Sequence, residues 1–184
     1  MRLNLVNLAD GGRVLLIDDF FEPKWINLLQ KICGEFQHNK TRWPVSTITQ
    51  SIHRRMFNES GKDWEKFVDY IKRSDITDTI SQALNISMSF SMINLWCDQT
   101  GFGALLPHRE QGGKYMAQIY ITDQSHDWGG TTVYNEQKEI LFQMPYRNNY
   151  AWFFDDGTTV MHGRHHDVPA GLDRFTLQIW WGAN

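Results

Sequence analysis

The chain has 184 residues, 41% of them hydrophobic and 14% aromatic, and a formal net charge of −3 at pH 7. That length suits one domain around one core, and that composition excludes a disordered chain. The mild acidity (pI near 6.1) excludes general nucleic-acid binding through a polycationic surface.

In chain order, Val14–Asp18 reads as a short buried strand. A helix is expected over Pro23–Gln37. Pro23 suits a first turn, where its missing N–H costs nothing, and Trp25, Leu28, Leu29, Ile32, Cys33 and Phe36 form one apolar stripe. Residues 38–59 are polar, irregular and long for a connection, which suggests a lid over a substrate or an unrecognised strand. The basic clusters Lys40-Thr41-Arg42 and His53-Arg54-Arg55 within it read as solvated loop charges, or as a place where Arg54 and Arg55 meet an acidic or peptide substrate. A second helix is expected after Ser60, with Ser60 as cap and Asp63 three residues on. Its stripe is Trp64, Phe67, Val68 and Ile71. A third helix is expected over Asp75–Leu84.

From Ile86 the hydrophobic period changes to two. Strands are expected there and at Lys114–Thr122, Thr131–Asn135, Glu139–Gln143, Tyr150–Phe154, Thr158–His162 and Arg174–Trp181, separated by turns rich in Gly, Asp and Pro. Many short strands indicate a sandwich or barrel, with the helices packed on one outer face. Trp181, on an alternating core-facing strand, reads as packing. Cys33 and Cys97 belong to no C-x-x-C pair and read as buried thiols. No window holds eighteen consecutive apolar residues and no apolar leader is visible, so a cytoplasmic protein without membrane association is expected, a viral one made in a cytosol included.

Three pieces carry chemistry. In Pro107-His108-Arg109-Glu110 an extended backbone puts His108 and Glu110 on one face and Arg109 on the other. His162 ends an expected strand, and Arg174 follows it by twelve residues. Two imidazoles and a carboxylate are the set that holds Fe(II) on one face and leaves the opposite positions open. An arginine set back from such a metal suits a dicarboxylate, because its fork binds a carboxylate bidentately. His165 also fits the distal position, nine residues from Arg174. His38, His53 and His126 have no partner signal.

These residues resemble the prolyl-4-hydroxylase-like branch of the 2-oxoglutarate and Fe(II)-dependent dioxygenases. The family carries H-x-D or H-x-E, a gap of fifty residues or more, a distal His and then an Arg; here 51 residues separate Glu110 from His162. Ala117–Thr122, the Gly129-Gly130-Thr131-Thr132-Val133-Tyr134 run, Met161-His162-Gly163 and the Gly171–Trp181 ending resemble further family segments, as does the opening Leu16–Phe21. The chain departs from the commoner pattern in using Glu rather than Asp. The resemblance implies one α+β domain: a double-stranded β-helix (jelly-roll) core over 86–184, and N-terminal helices over 1–85 packed on one face, with 38–59 as the candidate lid. It implies Fe(II) on His108, Glu110 and His162, and 2-oxoglutarate with its far carboxylate on Arg174, aided by Asn94, Tyr115 or Tyr120. Dioxygen is the second cosubstrate and ascorbate a further candidate cofactor. The implied reaction hydroxylates a peptidyl (prolyl-type) or small-molecule substrate and releases succinate and CO2. Two alternatives stand: a non-catalytic jelly-roll binding module, and a cupin-type metal enzyme without 2-oxoglutarate. Substrate and oligomeric state are not legible.

Overall fold

The computed structural model describes every residue except 10, 41, 46–50, 58–59, 110–113, 124, 155–159 and 184, and leaves out the side chain of Lys114. Eleven strands and three helices are described, in the order β1 (Arg2–Asn7), β2 (Arg13–Asp18), α1 (Pro23–His38), β3 (Arg54–Met56), α2 (Lys62–Arg73), α3 (Ile76–Leu84), β4 (Met88–Gln99), β5 (Leu105–His108), β6 (Lys114–Ile121), β7 (Thr132–Tyr134), β8 (Ile140–Gln143), β9 (Ala151–Phe154), β10 (Met161–Arg164) and β11 (Asp173–Ala183). They form a seven-stranded sheet, β1-β2-β9-β6-β11-β4-β3, and a four-stranded sheet, β5-β10-β7-β8. All strand pairs are antiparallel. This is the expected double-stranded β-helix.

Period-two alternation divides the larger sheet into two faces. Leu15, Leu95, Cys97, Ala117, Ile119, Phe153, Leu177 and Ile179 share one core cluster with Ile26, Leu29, Phe36, Phe67, Ile71 and Ile80 of the helices. The other face turns Met116, Tyr120, Trp152 and Phe154 into a second cluster with Val133 and Val160. In α1, Pro23 lies in the first turn and Ile26, Leu29, Cys33 and Phe36 are buried at helical spacing. Trp181 is fully buried and donates to Thr77 Oγ1 at 2.9 Å. Cys33 and Cys97 are both buried and unbonded, and burial pushes both thiols well up.

Two expectations need correcting, the Ser60 cap and a solvated Arg54, and two strands add to the reading. Gly61, extended at φ −174°, stands at the start of α2, and no side chain caps it; Asp63 and Glu65 in the first turn and Lys72 and Arg73 in the last complement the helix dipole instead. Strand β1 was not expected, and it pairs with β2 over its full length. Within 38–59, Trp43 is buried against Phe36 and Phe175, and Arg54–Met56 pairs with β4, so the alternative of an unrecognised strand holds for those three residues. Arg54 is buried rather than a solvated loop charge.

The Gly129-Gly130 turn has a steric cause. A Cβ on Gly130 would lie 1.5 Å from the Met144 carbonyl oxygen, and one on Gly129 would strike the Tyr146 ring at 2.6 Å. Met144 N–H donates to Thr131 O at 2.8 Å beside it, extending the β7–β8 ladder. Gly130→Ala is expected to cost roughly 3 kcal/mol or more, because the obstructing atom is backbone and cannot rotate away. A urea melt within about 0.5 kcal/mol of the parent chain would contradict this.

Candidate metal and dicarboxylate site

Strands β5 and β10 are neighbours, and His162 lies opposite His108 in their register. Residues opposite each other on a ladder share a face, so strand pairing brings together two histidines far apart in the chain. Their ring centroids are 4.6 Å apart. His108 Nδ1 lies 2.8 Å from Leu106 O and His162 Nδ1 lies 3.1 Å from Val160 O. A carbonyl only accepts, so an Nδ1–H facing it leaves Nε2 of each ring as the nitrogen that could reach a metal. The surroundings differ. His162 is 4% exposed, against Phe154 at 4.7 Å and Trp152 at 5.6 Å, whereas His108 is exposed. The site thus lies between a packed wall and an open mouth. Gly163 permits the close approach of β10 to β5, since a Cβ there would meet Leu105 O at 2.5 Å.

A cavity of ≈ 110 Å³ is lined by both histidines and by Arg54, Arg164 and Arg174. Around the arginines lies Asp98, fully buried on β4 and in register with Arg54 on one side and Arg174 on the other. Asp98 Oδ1 is 3.0 Å from Arg54 Nε; Oδ2 is 3.0 Å from Arg174 Nη1 and 3.5 Å from Arg164 Nη1. Arg174 Nε donates to Gly129 O at 2.5 Å, and its guanidinium carbon lies 5.5 Å and 5.7 Å from the Tyr120 and Tyr146 ring centres. Burial and the neighbouring Arg174 charge bring Arg164 down to about 10, and burial likewise lowers Arg54.

The cavity wall carries an oriented amide chain. Trp96 Nε1 donates to Gln178 Oε1 at 3.0 Å, Gln178 Nε2 to Gln118 Oε1 at 3.1 Å, and Gln118 Nε2 to Thr131 Oγ1 at 3.1 Å. An indole N–H can only donate, so it sets the direction of both amides.

Of the residues singled out in the sequence, His108, His162 and Arg174 meet at one cavity. Glu110 lies outside the described residues. Arg109 is ion-paired to Glu136. His165 and His166 are exposed and pack on each other, and it is His162 that faces His108. Tyr115 stacks on Phe153 on the helix side of the sheet, away from the cavity. Asn94 shares a face with Trp96 and Asp98, but its amide turns to Met92 Sδ at 3.7 Å and Gln178 occupies the wall instead. Tyr120 is buried beneath Arg174; its hydroxyl donates to Thr131 Oγ1 and accepts from Thr131 N–H and Trp152 Nε1. Neither tyrosine nor Asn94 is among the residues that line the cavity. Asp98, Arg164, Gln118, Gln178 and the part played by Arg54 were missed. For Asp98 a signal existed: it ends the alternating run Asn94, Trp96, Asp98 on one strand face.

Among the described residues no three His, Cys, Asp or Glu side chains gather around a metal position, but the spacing of the two rings is compatible with a shared ion. A metal–nitrogen bond of roughly 2.1 Å puts a ring centre roughly 3.2 Å from the ion, so two ligands at right angles have centres roughly 4.5 Å apart. The observed 4.6 Å agrees. Three larger cavities among the described residues, of ≈ 420 Å³ between α1 and α2, ≈ 470 Å³ beside Cys33 and Asp173 and ≈ 360 Å³ beside His53 and Arg55, do not reach the paired histidines. Among the described residues no helix is long and apolar enough to cross a membrane.

No protein-family model and no curated protein matches the chain. Solved structures do. A Pseudomonas putida prolyl-4-hydroxylase is similar at 15% identity and TM-score 0.64, covering 93% of this chain and 92% of its own. A Trichoplax adhaerens prolyl hydroxylase, solved with a fragment of hypoxia inducible factor, is similar at 13% and 0.66, covering 92% and 83%. HygX from Streptomyces hygroscopicus, solved with nickel and 2-oxoglutarate, is similar at 11% and 0.62, covering 93% and 83%. At such identities the likeness is one of fold.

Proposed function

From a chain that carries the fold of the 2-oxoglutarate-dependent oxygenases, we propose an Fe(II)- and 2-oxoglutarate-dependent oxygenase that hydroxylates a peptidyl (prolyl-type) or small-molecule substrate. The observation that carries this reading is the cavity shared by a facing histidine pair, each ring anchored through Nδ1 to a backbone carbonyl, and buried arginines. His108 and His162 would hold the metal through Nε2, with Glu110 the carboxylate suggested by the sequence. When bound, iron and 2-oxoglutarate supply the oxidising chemistry that consumes dioxygen and yields succinate and CO2. The chain supplies orientation. Arg174, fixed by Asp98 and Gly129, receives the far carboxylate of the cosubstrate. Trp152, Phe154 and His162 close the inner side to water, and His108 opens to the substrate. Leu106, 82% exposed two residues from His108, offers that substrate an apolar contact. The buried arginines favour this over a cupin-type enzyme, which has no dicarboxylate to hold.

Succinate release from Fe(II), 2-oxoglutarate and dioxygen, even without a prime substrate, tests the reading; no succinate under any condition would leave a binding module. Arg174→Ala is expected to raise the 2-oxoglutarate requirement about 30-fold or more while metal binding survives, since losing one partner of a buried charge pair costs about 2 kcal/mol or more. Titration of the KM for 2-oxoglutarate checks this, and an unchanged KM removes the role.

A further inference from the structure

Three guanidinium groups and one carboxylate meet at the inner end of the cavity, leaving two positive charges in excess within the cluster. Their donors are used unequally. Arg174 has Nη1 on Asp98 and Nε on Gly129. Arg54 pairs with Asp98 and lies over Trp96 and Phe102, 4.5 Å and 5.3 Å from their ring centres. Arg164 uses Nη2, which donates to Phe102 O at 2.8 Å and to Gly103 O. Its Nε and Nη1 are buried and make no hydrogen bond among the described residues, and Nη1 comes only to 3.5 Å of Asp98 Oδ2. The side chain is 1% exposed and lines the cavity. Buried donors without acceptors are costly, and a ligand that completes them removes that cost.

We infer that Arg164 is a second cationic ligand for the far carboxylate of the 2-oxo acid, alongside Arg174, and that this pair restricts the cavity to 2-oxo dicarboxylates. The identity of the ligand rests on the oxygenase reading. A carboxylate has two oxygens and can face two guanidinium groups at once. A 2-oxo acid with a methyl end brings no charge to this end and leaves the Arg164 donors unmet. Arg164 follows His162 by two residues on β10, so one strand supplies both a metal-holding ring and a cosubstrate-holding cation. The same glycine that lets β10 approach β5 lies between them.

The test is calorimetric binding and thermal shift on protein loaded with redox-inert nickel and on metal-free protein, using 2-oxoglutarate and 2-oxopentanoate. The parent chain is expected to bind 2-oxoglutarate at least about tenfold more tightly than 2-oxopentanoate. Arg164→Gln is expected to weaken 2-oxoglutarate at least about tenfold and to narrow its advantage over 2-oxopentanoate. An unchanged affinity in Arg164→Gln overturns the inference. Should that variant fail to fold, Arg164→Lys decides: an ammonium keeps the charge but not the planar fork, so affinity still falls, and parental affinity overturns the inference. If the parent chain binds no 2-oxoglutarate with or without nickel, the oxygenase reading falls and the inference with it. If the parent binds and the Arg164 variants match it, only the part given to Arg164 falls.

Discussion

On the oxygenase reading proposed above, His108→Ala is expected to lose Fe(II)-dependent turnover of 2-oxoglutarate and to keep its fold. The side chain is exposed, at the end of a short strand, so its removal is expected to move stability by no more than about 0.5 kcal/mol. Its loss to metal binding is large. Partners that merely orient a ligand are worth roughly 10- to 100-fold in affinity, and removing the ligand itself costs more. Succinate formation at saturating 2-oxoglutarate, measured beside a urea melt of the same preparation, separates the two effects. His162→Ala is expected to be equally inactive, but it also removes a buried ring packed on Phe154 and Trp152, so its melt shifts as well. Full turnover in both variants would refute the site.

The second large effect is on stability. Asp98→Asn is expected to destabilise the fold by about 3–5 kcal/mol, the range for removing one partner of a buried charge cluster. Asp98 is fully buried and is the one carboxylate paired with Arg54, Arg164 and Arg174 among the described ion pairs. Without its charge three buried cations face each other, and the new amide presents donors to donors. Total stability for a domain is typically about 5–15 kcal/mol, so the loss is a large share of it. The urea midpoint measures it, and added 2-oxoglutarate is expected to restore part of it by binding the folded state. A midpoint like the parent's would mean that the arginines are not held by this carboxylate.

Much of the fold was legible because it follows from repeating patterns. The α1 stripe runs through Leu29, Cys33 and Phe36, and the alternation of β4, β6 and β11 separates Leu95, Ile119 and Leu177 from Trp96, Gln118 and Gln178. What escaped has weak local signal. Strand β1 exposes Leu3 and Leu5 at the edge of the sheet, and β3 is three residues opening on two arginines, made a strand by its pairing with β4. His108, His162 and Arg174 were legible from order and spacing. Arg164 and Arg54 were not, because a charged residue reads as solvated until its counter-ion is known, and Asp98 comes from a distant strand. Asn94 and Tyr115 stand off the cavity for a related reason: spacing near a motif does not say which way an amide turns or on which side of a sheet a residue stands.

Among the described strands the small sheet ends in β5, which bonds to β10 on one side only. The two rings that face across that ladder therefore span the outermost seam of the sheet. An ion gripped by both acts as a rivet through the seam, so the cohesion of the last strand and the hold on the ion are two expressions of a single free energy. A change that loosens the seam without touching a ring, at Gly163 beside His162 for example, would then reappear as weaker retention of such an ion, and filling the site would firm the exposed rim.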